Sequence, residues 1–326
     1  MSDSAFDYSV IVPVYGNAPT LGRLLERVRA ASEALGGNWE CVFVVDGSPD
    51  DSAAVLHDQI PRHGLTAQVI VLSRNFGSFA AIRAGLQAAR GSYLAVIAAD
   101  LQEPPEIVVD FFRELRTGDH DIVLGRRVGR ADPLGSRLAA DLYWRLYRRV
   151  VNSEVPEGGV DVFACTRQVA EHINQFTEQH TSLVGLLFWV GFRRGFVDYE
   201  RREREEGKSG WTFRRKLRYL LDSIYAFTDL PIIVLQVMGM LGVLGSLAIG
   251  AVTLAAWSVG AIGVPGYTPL ILVMLFATSS ILLGLGVVGS YLWRTYENGK
   301  LRPIAVVMRT QTFAPADGNW KEERDN

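Results

Sequence analysis

Apolar runs in the first 130 residues stop, one after another, on polar or charged side chains: Tyr15, Asp46, Arg74 with Asn75, Asp100, and Arg126 with Arg127. Asp100 closes "SYLAVIAAD" and Gln102 follows two residues later. A carboxylate and a carbonyl oxygen are ligands that hard ions such as Mg2+ and Mn2+ prefer, and one protein carboxylate suffices where phosphate and water fill the other positions. Asp100 is also placed to cap a helix starting in "EPPEIVVDFF", with Pro104 and Pro105 opening it; the two roles are compatible. Asp46 ends "CVFVVD" and either faces a ligand or turns the chain into Gly47 and Ser48. Asp50 and Asp51 are expected to be solvated turn residues. Arg126, Arg127, Arg130 and Arg137 in "GRRVGRADPLGSR" offer guanidinium forks to phosphate oxygens, or form an exposed basic loop.

These groups need elements to hold them. "YSVIVPVY" and "WECVFVVDGS" are short β-branched runs separated by the helical pattern "PTLGRLLERVRAASEAL". The alternation continues through "AQVIVLSRN", "FAAIRAGLQAARG", "SYLAVIAAD", "PPEIVVDFFRELRTG" and "DIVLGRR". Such a βαβ rhythm predicts a mostly parallel α/β sheet covered on both faces, with ligands at the carboxyl ends of its strands. No GxGxxG follows the first strand and no GxxxxGK[ST] occurs, which removes dinucleotide and P-loop readings.

The 326 residues carry 33 Lys and Arg against 35 Asp and Glu, a net charge of −2 that gives no reason to expect nucleic acid. Cys41 and Cys165 lack metal or disulfide spacing and read as buried apolar residues, and the five His show no ligand pattern. The start "MSDSAFDYSV" leads directly into a strand, so no signal peptide is expected. Residues 231–257 and 268–293 contain no charge, and each exceeds the roughly 20 helical residues that cross a bilayer. They predict a transmembrane hairpin. Arg214, Arg215, Lys216 and Arg218 precede it, and Arg294, Lys300, Arg302 and Arg309 follow it, which puts both termini and the α/β unit in the cytoplasm. Between unit and membrane, residues 211–230 set Trp211, Phe213, Leu217, Leu220, Leu221, Ile224 and Phe227 among basic residues, the pattern of an interfacial amphipathic helix.

"SVIVPVYGNAPTL", "VVDGSPDDS", "LSRNFGSFAAIRAGLQAARGSYLAVIAADLQEPPE", "GGVDVF", "WVGF" and "RREREEGKSGWT" stand in the order and spacing of family 2 glycosyltransferases with the GT-A fold. More narrowly, the chain resembles polyprenyl-phosphate glycosyltransferases, the relatives of dolichol-phosphate mannose synthase and of bacterial bactoprenol glucosyl transferases, over roughly Tyr8 to Arg309. Three motifs depart from the family: Gly16 and Asn17 replace an acidic pair, Val45 replaces the first Asp of "VDDGS", and Ala98 replaces the first Asp of "DADLQ". The last variant resembles a bacterial branch of the same family.

The resemblance implies a Rossmann-like GT-A domain over 1–210, the interfacial region 211–230, spans at 231–257 and 268–293, and a cytoplasmic tail at 294–326, all at the bacterial inner membrane. It implies inverting transfer of a sugar from a nucleotide sugar, UDP-glucose foremost, to polyprenyl (undecaprenyl) phosphate for cell-envelope glycosylation. Mg2+ or Mn2+ on Asp100 and Gln102 would neutralise the leaving pyrophosphate. Pro13, Tyr15, Asp46, Asp100, Gln102, Arg204 and Ser209 would bind the donor, the last two through an RxxGxS pattern with Gly207 in which Gly210 replaces a usual cation. Arg127, Arg130 and Arg137 would bind the acceptor phosphate. Asp161 would orient the donor sugar or an acceptor-binding arginine, or form a structural ion pair; Asp100, Asp161 and Arg127 form the catalytic set. The tail "LRPIAVVMRTQTF" reads as a strand of the kind that helps relatives associate, and a homo-oligomer, a tetramer, is expected. A processive polysaccharide synthase is disfavoured by the absence of QxxRW. A catalytically inert scaffold or partner subunit is the alternative that Ala98 and Val45 motivate.

Overall fold

In the computed structural model, residues 6–128, 145, 148–149, 153–156, 159–178, 181–201, 221–228, 230–260 and 267–314 are described. The β-branched runs form β1 (Phe6–Val14), β2 (Trp39–Val45), β3 (Ala67–Leu72), β4 (Gly91–Val96) and β5 (Ile122–Arg127), with α1 (Ala18–Leu35), α2 (Ser52–His63), α3 (Ser78–Ala88) and α4 (Ile107–Arg116) between them. Then come β6 (Phe163–Thr166), α5 (Arg167–Gln175), α6 (Leu183–Trp189), β7 (Arg194–Tyr199), the long helices α7 (Leu230–Ser258) and α8 (Tyr267–Gly299), and β8 (Val307–Phe313).

Successive strand residues point to opposite faces, and the core divides accordingly. Val10, Val12 and Val14 of β1 pack with Leu21, Leu24 and Val28 of α1 and with Phe111 and Phe112 of α4. Ile11 lies in the opposite layer with Ile82 and Leu86 of α3, Val169 and Ile173 of α5 and Leu187 of α6. Both cysteines are buried in these layers, and burial pushes each thiol up to about 12, far from thiolate chemistry.

The sheet order is β7-β5-β6-β4-β1-β2-β3-β8. The parallel order expected from sequence holds across β3, β2, β1 and β4, but the sheet as a whole is mixed. β6 enters between β4 and β5 antiparallel to both, and β8 runs antiparallel on the β3 edge. Antiparallel pairs need no crossover helix, so the βαβ rhythm that ends at β5 does not foretell them. The reversal of β6 matters for the site. Its first residue, Phe163, lies opposite Val96, the last of β4, so the segment just before β6 reaches the edge where the other strands end. β8 brings residues of the expected separate tail into the sheet of the 1–210 unit.

α7 and α8 contain the uncharged stretches 231–257 and 268–293. Among the described residues, Phe276–Gly299 is long and apolar enough to cross a membrane by length and composition, and Leu221–Phe227 with Leu230–Gly242, bent by 83°, meets the same measure only if the two helices are one span. Residues 211–220 of the expected interfacial helix lie outside the described residues; the Leu221–Phe227 part is helical. That part packs against protein as well. Ser223 is fully buried, Ile224 joins the second core layer, and Asp222 pairs with Arg294 of α8 at 2.7 Å.

Candidate active site

The first wall of the site is a pair of loops joined by side chains. At the end of β1, Gly16 N–H donates to Ser48 Oγ at 2.8 Å, Asn17 N–H to Ser52 Oγ at 3.3 Å, and Ala18 N–H to Asp50 Oδ2 at 3.0 Å. Asp50 Oδ1 accepts from both serine hydroxyls at 2.6 Å and from Ser52 N–H at 3.1 Å. Asp50 is therefore no solvated turn residue: it satisfies an orphan N–H at the start of α1, whose own cap residue Asn17 makes no side-chain cap bond. Burial alone would raise its carboxyl, yet these hydrogen bonds hold it below the usual carboxylate range. Pro13 is half-buried opposite Val44, and Tyr15 stands exposed beside the loop pair.

Asp46 directly follows β2 and is 3% exposed. Its two oxygens accept the N–H groups of Phe76 at 2.7 Å and Gly77 at 2.8 Å. Burial raises its carboxyl, with these bonds and Arg74 opposing. The neighbouring Gly47 has φ +57°, and a Cβ there would lie 2.4 Å from the backbone of Arg74, so only glycine permits this approach. Asp46 thus holds the 74–77 turn at the strand end.

The turn after β4 presents Asp100. Thr20 of α1 donates its hydroxyl to the Ala99 carbonyl at 2.7 Å, Asp100 Oδ1 accepts from Gln102 N–H at 3.3 Å, and Leu101 between them has φ +59°. A non-glycine residue in the left-handed region is costly and clusters at functional sites. The capping role open to Asp100 does not occur, because α4 begins only at Ile107 with Glu106 as its cap residue. Pro104 and Pro105 precede α4 and supply carbonyl acceptors to its first turn.

Arg201, two residues beyond β7, reaches this turn. Its Nη2 donates to Gln102 Oε1 at 2.7 Å, its Nε lies 3.2 Å from Glu103 Oε1, and its Nη1 lies 3.5 Å from Asp161 Oδ2. Tyr199 donates its hydroxyl to the same Asp161 oxygen at 3.2 Å. Glu103 is 3% exposed, and burial, then the charges of Asp161 and Asp100 against that of Arg201, pushes its carboxyl up to about 7. Burial works against the Arg201 charge, but the surrounding carboxylates raise the group above its ordinary value. Asp161 joins the cluster because it sits just before the reversed β6, and its carboxylate lies 3.5 Å from the Arg201 guanidinium.

Arg127 ends β5 in register with Tyr199 and is half-buried, while Arg126 forms an exposed two-point pair with Asp198 at 2.6 and 3.0 Å. Arg130, Arg137, Arg204, Gly207, Ser209 and Gly210 lie outside the described residues. The site thus brings together Asp100, Gln102 and Asp161 with three residues that the sequence alone does not single out: Glu103, Tyr199 and Arg201. Glu103 stands within "ADLQEPPE" and Arg201 heads "RREREEGKSGWT"; their signal is adjacency to the motifs. Among the described residues, no group of three or more His, Cys, Asp or Glu side chains is arranged as a metal cage.

The sequence pattern of Glycosyl transferase family 2 matches residues 9–173. An undecaprenyl-phosphate 4-deoxy-4-formamido-L-arabinose transferase of Pseudomonas fluorescens is 31% identical, over 94% of this chain and 92% of its own length. A prophage bactoprenol glucosyl transferase homolog of Escherichia coli is 28% identical, over 93% of this chain and 99% of its own. An uncharacterized glycosyltransferase of Synechocystis is 31% identical, over 92% and 94%. Among solved structures, glucosyl-3-phosphoglycerate synthase of Mycobacterium tuberculosis, in complex with Mn2+, UDP-glucose and phosphoglyceric acid, shares the fold at a TM-score of 0.50 and 16% identity, over 68% of this chain and 79% of its own.

Proposed function

The chain belongs to glycosyl transferase family 2, and from that membership we propose that it transfers a sugar from a nucleotide donor to undecaprenyl phosphate at the cytoplasmic membrane face. Relatives that span nearly its whole length carry the names of bactoprenol and undecaprenyl-phosphate sugar transferases, which supports the lipid acceptor. UDP-glucose is the proposed donor, after the glucosyl relative. The observation that carries the reading is the Asp100 turn. It stands at a strand end with a left-handed Leu101, is fastened to α1 by Thr20, and carries carboxylate and amide oxygens two residues apart.

Those oxygens fit a hard divalent cation that takes its remaining ligands from diphosphate and water, which is consistent with the absence of a cage among the described residues. When bound on Asp100 and Gln102, Mg2+ or Mn2+ would supply neutralisation of the leaving diphosphate. The rest falls to the protein. The loop pair around Ser48 and Asp50 and the turn held by Asp46 line the donor side, with Pro13 and Tyr15. Arg127, with Arg130 and Arg137, attracts the acceptor phosphate, while Arg204 and Ser209 serve the donor diphosphate. The acceptor phosphate, with a second pKa near 6, is largely ionised at neutral pH and attacks without a general base. An inert scaffold has no use for this fastened turn.

We place residues 231–257 and 268–293 across the membrane as a hairpin with both ends cytoplasmic, and the 211–230 region at its surface. The chain associates as a homo-oligomer, a tetramer. Purified protein incubated with labelled UDP-glucose, undecaprenyl phosphate and Mn2+ is expected to yield a labelled lipid. No lipid product with any sugar nucleotide, together with no nucleotide binding, would sink the reading.

A further inference from the structure

One of the two oxygens offered by the Asp100 turn, that of Gln102, is already in contact with a cation. Arg201 Nη2 holds Gln102 Oε1 at 2.7 Å, and the same guanidinium lies 3.5 Å from Asp161 and 3.2 Å from Glu103. The fit is incomplete, however. Arg201 Nε and Glu103 Oε1 are both buried and neither has a hydrogen-bond partner, so their 3.2 Å approach is a charge contact without hydrogen-bond geometry. Buried polar atoms left in this state are rare in folded proteins and call for an explanation. Among the described residues, this one guanidinium is acted on by the charges of Asp161, Glu103 and Asp100.

We propose that Arg201 is the resident cation of the donor-free site, exchanging places at Gln102 with the divalent cation that accompanies the nucleotide diphosphate. This rests on the reading of Asp100 and Gln102 as metal ligands. The divalent cation alone must displace the guanidinium from Gln102 without offering it a new partner, and binds weakly. When the nucleotide arrives with it, the displaced guanidinium gains phosphate oxygens, for which its planar fork is suited. Cation and nucleotide therefore bind with positive coupling, and Arg201 is a positioning residue that carries it.

The experiment is a titration of detergent-solubilised full-length protein with Mn2+, read as loss of the free-ion EPR signal, with and without UDP. Arg201→Gln is expected to tighten Mn2+ binding in the absence of UDP by about tenfold, and to shrink the gain that UDP brings, within the usual range of such couplings. Loss of the positive charge by itself also favours Mn2+ through space, so the charge-preserving Arg201→Lys is the variant that separates displacement from repulsion. Unchanged or weaker Mn2+ binding by Arg201→Gln without UDP overturns the exchange. Should that variant fail to fold, Arg201→Lys keeps the charge but cannot span Gln102 and Asp161 together, and is expected to tighten Mn2+ binding in the same direction; unchanged affinity again overturns it. Asp100→Asn run alongside separates the two claims: wild-type Mn2+ affinity in that variant removes the metal reading itself.

Discussion

The Thr20 hydroxyl of α1 donates to the carbonyl oxygen of Ala99 at 2.7 Å, joining residues 79 positions apart in a buried contact. Ala99 directly precedes Asp100 and the left-handed Leu101, so this bond fixes the turn that aims the Asp100 carboxylate. Thr20→Val keeps the shape and strands the Ala99 acceptor, at a cost of about 1–3 kcal/mol. Thermal unfolding should show the loss. Steady-state kinetics should show a fall in kcat/KM for the donor; a variant as stable and as active as wild type would mean that the turn holds itself.

Asp100 is the carboxylate on which the proposed chemistry turns. Asp100→Ala or Asp100→Asn is expected to reduce lipid-linked product by at least about 100-fold, the scale on which removing a group that stabilises transition-state charge is felt. Ala98→Asp is expected to tighten metal binding without being needed for turnover. Product formation by Asp100→Ala at a wild-type rate would move the site elsewhere.

Much of this site is legible in the sequence because strand ends are legible. Apolar runs that stop on Asp46, Asp100 and Arg127 mark one edge of a sheet through their order and alternation alone. Asp161 is different: its place depends on β6 running against its neighbours, and no local pattern in "GGVDVF" states a strand direction. Glu103 and Arg201 meet across 98 residues, and neither has a periodicity that predicts the meeting. Asp50 shows the opposite failure. Its composition is that of a solvated turn, yet the unsatisfied N–H groups of a neighbouring helix recruit it. The β8 strand can be read from "VVMRTQTF", but its partner β3, more than 200 residues earlier, cannot.

Glu103 gives the site a pH signature in stability. Its carboxyl is raised from an ordinary 4.5 to about 7, with burial as the main cause. A raised acid favours the folded state below its unfolded value and loses that contribution as pH rises through the folded one. The Glu103 contribution is thus full below about 4.5 and gone above about 7. Glu103→Gln cannot titrate, so its melting temperature relative to wild type is expected to climb between pH 5 and pH 8. A constant difference across that range would mean that Glu103 ionises normally in the folded protein.

Gly185 of α6 carries the contact between the catalytic unit and the segment that leads into the long helices. A Cβ at Gly185 would lie 2.2 Å from the Phe227 ring, closer than real contacts allow. The segment bearing Phe227 also holds Tyr225 against Tyr291 of α8, with ring centroids 5.2 Å apart, and Asp222 against Arg294. Gly185→Ala must therefore push the ring, and with it the helix that connects the two parts, at a cost of about 1–3 kcal/mol for overpacking. Phe227 is half-buried, so Phe227→Ala alone removes packing at less than the about 3–5 kcal/mol of a fully buried Phe. The two changes occupy the same space, so in the Phe227→Ala background the added methyl should cost little or even stabilise. Chemical denaturation of the four proteins in detergent measures the coupling, and lipid-acceptor turnover should follow it more closely than UDP binding does. Strictly additive effects would show that the ring and the glycine do not touch.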